Sequence, residues 1–227
     1  MKKIVTLGLI VATLTATGCG NQESPNSPSN VQYFNPNPQV QVIETTQPTK
    51  PVVYKNISYD ALVDLVRQNG ESLEIEMFTI DVGKENERPT ISYAGYGYGW
   101  ANKMQGSLEQ NILATINATD VSKTNERPTI SYAGYGHAWM NKAEGSIAGN
   151  KFELTATKVG KKNERPTISY AGYGHAWTQE MYGDLGNLLN VSLITTDYKT
   201  ENERPTISYA GYGHAWMNKA KLTISLK

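Results

Sequence analysis

Cysteine is nearly missing from these 227 residues: Cys19 is the only one, which excludes an internal disulfide framework. Charge of one sign is missing too, since 21 basic and 21 acidic residues cancel. No basic cluster goes beyond pairs such as Lys2-Lys3 and Lys161-Lys162, so nucleic acid is not an expected partner. Nothing after the first twenty residues is apolar enough to span a bilayer as a helix. Catalytic signatures are missing as well. There is no Gly-x-Ser-x-Gly elbow, and the Tyr-Ala-Gly-Tyr-Gly stretches lack the lysine, the hydroxyl and the strand-to-helix setting of a phosphate loop. No enzyme activity and no cofactor are expected.

What the chain does have is repetition. Twelve residues, Asn-Glu-Arg-Pro-Thr-Ile-Ser-Tyr-Ala-Gly-Tyr-Gly, occur four times unchanged, from Asn86, Asn125, Asn163 and Asn202. The starts are 39, 38 and 39 residues apart, a period of the kind that marks a recurring supersecondary unit. In the last three copies the identity continues through His-Ala-Trp, to Trp139, Trp177 and Trp216, whereas the first reads Tyr98-Gly99-Trp100. Copies two and four run on identically into Met-Asn-Lys-Ala. The spacers share almost nothing, so a block has been copied while its surroundings have not.

Met1-Lys2-Lys3 precedes an apolar run from Ile4 to Ala16 and then Thr17-Gly18-Cys19. A basic start, a short apolar core and small residues at a cleavage site describe a secretory signal over residues 1–18. A conventional signal would simply be discarded with its cysteine. Ala16-Thr17-Gly18-Cys19 resembles a bacterial lipobox, with Ala16 where that family usually carries Leu, Val or Ile. The resemblance implies cleavage before Cys19 and diacylglycerol on its sulfur, with further acylation giving the two or more chains that stable anchoring requires. Gly20, in place of the Asp of the inner-membrane sorting pattern, implies the outer membrane. The membrane is thus a partner through the lipid, and the bacterial envelope is the expected location.

Residues 19–55 are rich in Asn, Gln, Ser, Thr and Pro, and prolines at 25, 28, 36, 38, 48 and 51 favour an extended tether. Residues 56–227 form one β domain in this reading. Ser58 to Gly70 carries helix signals: an N-cap serine, Asp60 early, Arg67 late and glycine after, with Ala61, Leu62, Leu65 and Val66 on one face. Alternation of period two then takes over. It is clean at Phe152 to Thr157 and Leu222 to Leu226, and looser at Ile112 to Val121 and Leu188 to Tyr198. Leu73 to Val82 changes phase near Phe78, which predicts a β-bulge. With a strand from each repeat block, about nine strands result. The fold class is all-β, an antiparallel meander closed as a barrel or folded as a sandwich, with one short helix. A four-bladed propeller fits less well because these strands are long.

On an extended strand Ser131, Ala133, Tyr135, His137 and Trp139 share one face, and Ile130, Tyr132, Gly134, Gly136 and Ala138 the other. The same bulky face recurs at Tyr173, His175 and Trp177, at Tyr212, His214 and Trp216, and in the first copy at Tyr96, Tyr98 and Trp100. These twelve residues are either core or an exposed ladder that binds a glycan or a protein. A metal shared by the three histidines conflicts with a meander, in which alternate strands lie ~10 Å apart. Glu87-Arg88 and its copies read as solvated turn charges, and a repeated arginine could instead meet an acidic ligand. Neither face is apolar enough for a transmembrane barrel. The expected function is a lipid-anchored envelope or surface binding protein, loosely similar to bacterial surface lipoproteins that capture ligands. The alternatives are a structural or self-associating repeat protein, or a recently copied block with no selected role.

Overall fold

A computed structural model describes residues 55–88, 94–108, 111–127, 133–165, 171–204 and 210–227. The signal segment, Cys19, all of the tether except Lys55, and Ile130, Ser131 and Tyr132 lie outside them. The described body is one helix, α1 (Tyr59–Gln68), followed by eight strands: β1 (Ser72–Glu87), β2 (Tyr96–Leu108), β3 (Ile112–Glu126), β4 (Tyr135–Ile147), β5 (Asn150–Glu164), β6 (Tyr173–Leu185), β7 (Leu189–Glu203) and β8 (Tyr212–Leu226). Each pairs antiparallel with the next, and β1 pairs with β8 to close a barrel. The strands number eight rather than nine. No turn separates Trp216 from Leu222, so the fourth repeat strand and the C-terminal alternation are a single strand.

The barrel closes over only half its height. Each odd strand pairs with the following even strand up to the hairpin tip, as in Glu87↔Tyr96 and Glu126↔Tyr135. Even strands pair with the next odd strand only near the other end, over Lys103↔Asn117 to Leu108↔Ile112, Lys142↔Thr155 to Ile147↔Asn150 and Glu180↔Ile194 to Leu185↔Leu189. The β1–β8 pairing likewise stops at Phe78↔Lys219. The lower half is therefore a continuous ladder, and the upper half is four separate hairpins. Each odd strand shifts register where this change occurs, at Thr79/Asp81, Ala118/Asp120, Ala156/Lys158 and Thr195/Asp197. The bulge expected from the phase change after Phe78 is the first of these. An extra residue bends and twists a strand, which here lets the hairpin leave the cylinder.

The lower half is filled with side chains. Leu73, Ile75, Met77, Ile116, Leu154, Leu193, Leu222 and Ile224 are all buried, while outward neighbours such as Glu74, Glu76, Lys151 and Glu153 are exposed. That is apolar inside and polar outside, the reverse of a transmembrane barrel. Large and small side chains alternate around the interior. One position beyond the tryptophan stand Ala101, Met140, Thr178 and Met217; four beyond stand Met104, Ala143, Met181 and Ala220, all buried. Hairpins one and three thus place methionine where two and four place alanine. Four methionines at one height would overfill the lumen, and staggering them fills two layers evenly. The shared Met-Asn-Lys-Ala of copies two and four follows from this arrangement.

Helix α1 covers the closed end. Ser58 Oγ caps it by accepting from the Ala61 amide at 3.3 Å, in the manner expected of an N-cap. Leu62, Val63 and Val66 are buried in the barrel core, Leu65 is half-buried and Ala61 is exposed. Val63 therefore takes the place expected of Ala61 on the face that the helix turns to β1 and β8. Neighbouring turns hold it. Lys55 and Ile57 donate backbone bonds to Asn111 and Ala148, and Tyr59 Oη donates to Leu185 O and accepts from the Leu188 amide.

Candidate functional site: the joints between the repeat hairpins

The repeat block straddles a hairpin tip. Its first residues, Asn-Glu, end an odd strand, and the even strand begins only at the second tyrosine, at Tyr96, Tyr135, Tyr173 and Tyr212. A strand running from the block's isoleucine onward was expected; the Ala-Gly before each of these tyrosines lies outside the strands.

The four even strands converge on the barrel axis. A Cβ added to Gly136 would lie 2.7 Å from Gly97 O, one on Gly174 2.4 Å from Gly136 O, one on Gly213 2.6 Å from Gly174 O, and one on Gly97 2.7 Å from Gly213 N. Backbone meets backbone around a closed cycle, and only glycine permits that approach. The expectation that spacer strands hold the repeat strands ~10 Å apart fails in this half, because the spacer strands lie outside the ring. Gly134, Gly172, Gly211 and Gly95 repeat the cycle one layer above, each against the strand-opening tyrosine and the alanine of the preceding copy.

On the opposite face the hairpins overlap like shutters, and each hands a hydrogen bond to the next. His137 Nε2 lies 2.7 Å from Asn163 Oδ1, His175 Nε2 2.7 Å from Asn202 Oδ1, and His214 Nε2 2.8 Å from Asn86 Oδ1. Tyr98, the first copy's counterpart, places its hydroxyl 2.6 Å from Asn125 Oδ1 and 2.9 Å from Glu87 Oε2. Asn163, Asn202 and Asn86 direct Nδ2 to Glu126, Glu164 and Glu203. A carboxylate only accepts, so each amide oxygen faces its histidine and each Nε2 carries the proton. Nδ1 is left bare, and in all three histidines it is buried with no hydrogen-bond partner. Burial holds all three imidazoles below their ordinary value. Burial, reinforced by the Glu87 bond, raises the Tyr98 phenol far above its own.

The tryptophans close the outside of each joint. Lys123, Lys161 and Lys84 of the following hairpin sit over Trp100, Trp139 and Trp216 at 5.7, 5.5 and 5.3 Å, within cation–π range. The same lysines reach back to Glu85, Glu126 and Glu201. The third joint differs. Thr200 replaces the lysine, Tyr198 replaces the valine found at 82, 121 and 159, and Tyr198 stacks on Trp177 at 3.8 Å and 5°.

The structure therefore brings together all twelve aromatic and histidine positions singled out from the sequence. Tyr96, Tyr98, Tyr135, Tyr173, Tyr212, His137, His175, His214 and Trp177 are buried, at 0–9 % exposure, and Trp100, Trp139 and Trp216 are half-buried. Among the described residues no three His, Cys, Asp or Glu side chains converge as a metal site. Sequence reasoning missed the asparagines, and it treated the glutamates as solvated charge. The available signal was that both open the invariant block. Compared with known proteins, the chain matches no family model, no curated protein and no solved structure.

Proposed function

We propose that this chain is a lipid-anchored, non-catalytic protein of the bacterial envelope, and that its repeats serve a structural role, locking four hairpins into a rigid body on a tether. The observation that carries the structural part is the closed cycle of joints. A tyrosine or histidine held at 0–8 % exposure between two hairpins meets a ligand only if the hairpins part. Recurrence of the same His–Asn pairing at three of the four joints also speaks against catalysis, which needs unlike neighbours. The anchoring part is supported by Ala16-Thr17-Gly18-Cys19 and the proline-rich stretch behind it.

Two experiments test the halves separately. Cys19→Ala is expected to shift the protein from membrane to soluble fractions and to abolish labelling by a fatty-acid analogue; unchanged membrane retention would contradict the anchor. Trp177→Ala removes the most buried tryptophan, and the expected cost is about 3–5 kcal/mol. A variant as stable as the parent would show that the aromatic face is not structural.

A further inference from the structure

In a ring of near-equivalent joints, the third is built from different residues, and the groove beside it is the one where that difference reaches the surface. It lies at the fork where β6 and β7 part, just above Glu180↔Ile194. Its volume is about 270 Å³, and its walls include Lys158, Trp177, Gln179, Glu180, Asp197 and Tyr198.

Four residues make this fork unlike the others. At the register shift, Asp81, Asp120 and Asp197 oppose Lys103, Lys142 and Lys219, whereas here Lys158 opposes Glu180, with the charges exchanged. The other forks therefore carry lysine on the even strand where this one carries a carboxylate. Gln179 stands where the others have Asn102, Asn141 and Asn218, each bonded to its aspartate. Finally, Tyr198 is 40 % exposed although one ring face is fully covered by Trp177. The result is a rigid, supported aromatic at the mouth of a polar groove.

We propose that this groove is a binding site for a neutral saccharide. A tyrosine held flat by a second ring offers an apolar, electron-rich surface at little entropic cost, suited to the C–H face of a pyranose. Around it stand acceptors (the Glu180 and Asp197 carboxylates), a donor (Lys158) and an amide with both functions (Gln179), the mixture that sugar hydroxyls satisfy. The charges select against other ligands. Two carboxylates oppose an anion, and the charge of one of them, Glu180, is already met by Lys158 at 3.1 Å. The groove is smaller than the ~300–1,000 Å³ of drug-sized pockets, which suits a single ring at a chain end. The site lies outside the hydrogen-bonded ring but shares Trp177 with the third joint, so it rests on that tryptophan's structural role and is tested through Tyr198 and Glu180, which leave Trp177 in place.

The test uses the full chain and a fixed panel of probes: the methyl glycosides of glucose, galactose, mannose and N-acetylglucosamine, with maltotetraose and chitotetraose. Binding is read by saturation-transfer NMR and by fluorescence. At least one probe is expected to bind with a millimolar or tighter Kd. Tyr198→Val, which installs the residue of the other three joints, should weaken binding at least tenfold while circular dichroism stays unchanged. Glu180→Gln should weaken the same probe without unfolding the barrel, and Val121→Ala at another joint should leave affinity unaltered. No binding by any probe at 10-fold the millimolar range, or binding indifferent to both Tyr198→Val and Glu180→Gln, would overturn the assignment.

Discussion

The two halves of this barrel hold together by different physics. In the lower half eight strands form an unbroken ladder around Leu, Ile, Val and Met side chains, and no two hairpins share the same set. In the upper half four hairpins that are not laddered to one another are joined by largely repeated residues, a glycine and an asparagine in every copy. The contrast explains why the block was copied and its surroundings were not. Burial of apolar area is non-directional and tolerates many solutions of similar volume, so spacer sequences were free to differ. A glycine that touches a neighbouring copy's backbone, or an asparagine that must meet the preceding copy's histidine or tyrosine, has few solutions. In a cycle every copy is both giver and receiver, so the glycine and the asparagine recur in all four copies, while the ring that meets the asparagine is histidine in three and Tyr98 in the first.

Ile224→Ala is the sharpest probe of the lower half. The side chain is fully buried between Leu73 and Val191 in register, and its loss is expected to cost about 2–5 kcal/mol, lowering the denaturant midpoint of the whole body. A loss below ~0.5 kcal/mol would mean that the ladder is not closed there.

Gly174→Ala probes the upper half. Its Cβ would meet the Gly136 carbonyl oxygen at 2.4 Å, a backbone atom that cannot swing aside, and overpacking of this kind costs about 1–3 kcal/mol. The expected signature is local: amide protection falls at Tyr173 to Trp177 and at Tyr135 to Trp139, while Leu222 to Leu226 stays protected. Uniform loss of protection across both halves would erase the distinction between them.

A smaller effect separates the halves by pH. The folded imidazoles lie below their ordinary value through burial, so the unfolded chain binds more protons near pH 6. Their contribution is complete above ~6.5, decreases as pH falls below it, and levels off beneath the folded values. The charges around them work in both directions: Glu126 and Lys161 at His137, Glu164 and Lys162 at His175, Glu201, Glu203 and Lys84 at His214. Acid loosening as pH falls below ~6.5 should therefore appear in the upper half first. Replacing His137, His175 and His214 by Gln keeps an N–H donor without a titrating nitrogen and should flatten this window. A triple variant with the parent's pH profile would assign the loosening to the carboxylates instead.

Much of the lower half could be read before the structure. Phe152 to Thr157 and Leu222 to Leu226 alternate as half-buried strands do, Ser58 caps its helix, and the bulge in β1 falls where the phase changes. These are local consequences of periodicity and capping. The strand count was missed because Met217 to Ala220 can be read as a turn between two strands, and only pairing with β7 and β1 shows it to be continuous strand. The aromatic face was legible as a face, but its covering was not: burial of His137 depends on Asn163, which lies in another repeat. Period alone gives spacing along the chain. It does not reveal that alternate strands meet on an axis, with the glycines of the opposite face as the contact points.

The central claim is that meeting. Gly97, Gly136, Gly174 and Gly213 can be labelled one copy at a time, and nuclear Overhauser contacts between their α-protons measured directly. The ring predicts cross-peaks from Gly97 to Gly136, Gly136 to Gly174, Gly174 to Gly213 and Gly213 back to Gly97. A barrel of even radius, with repeat strands held ~10 Å apart by the strands between them, would show none, and that result would contradict the account.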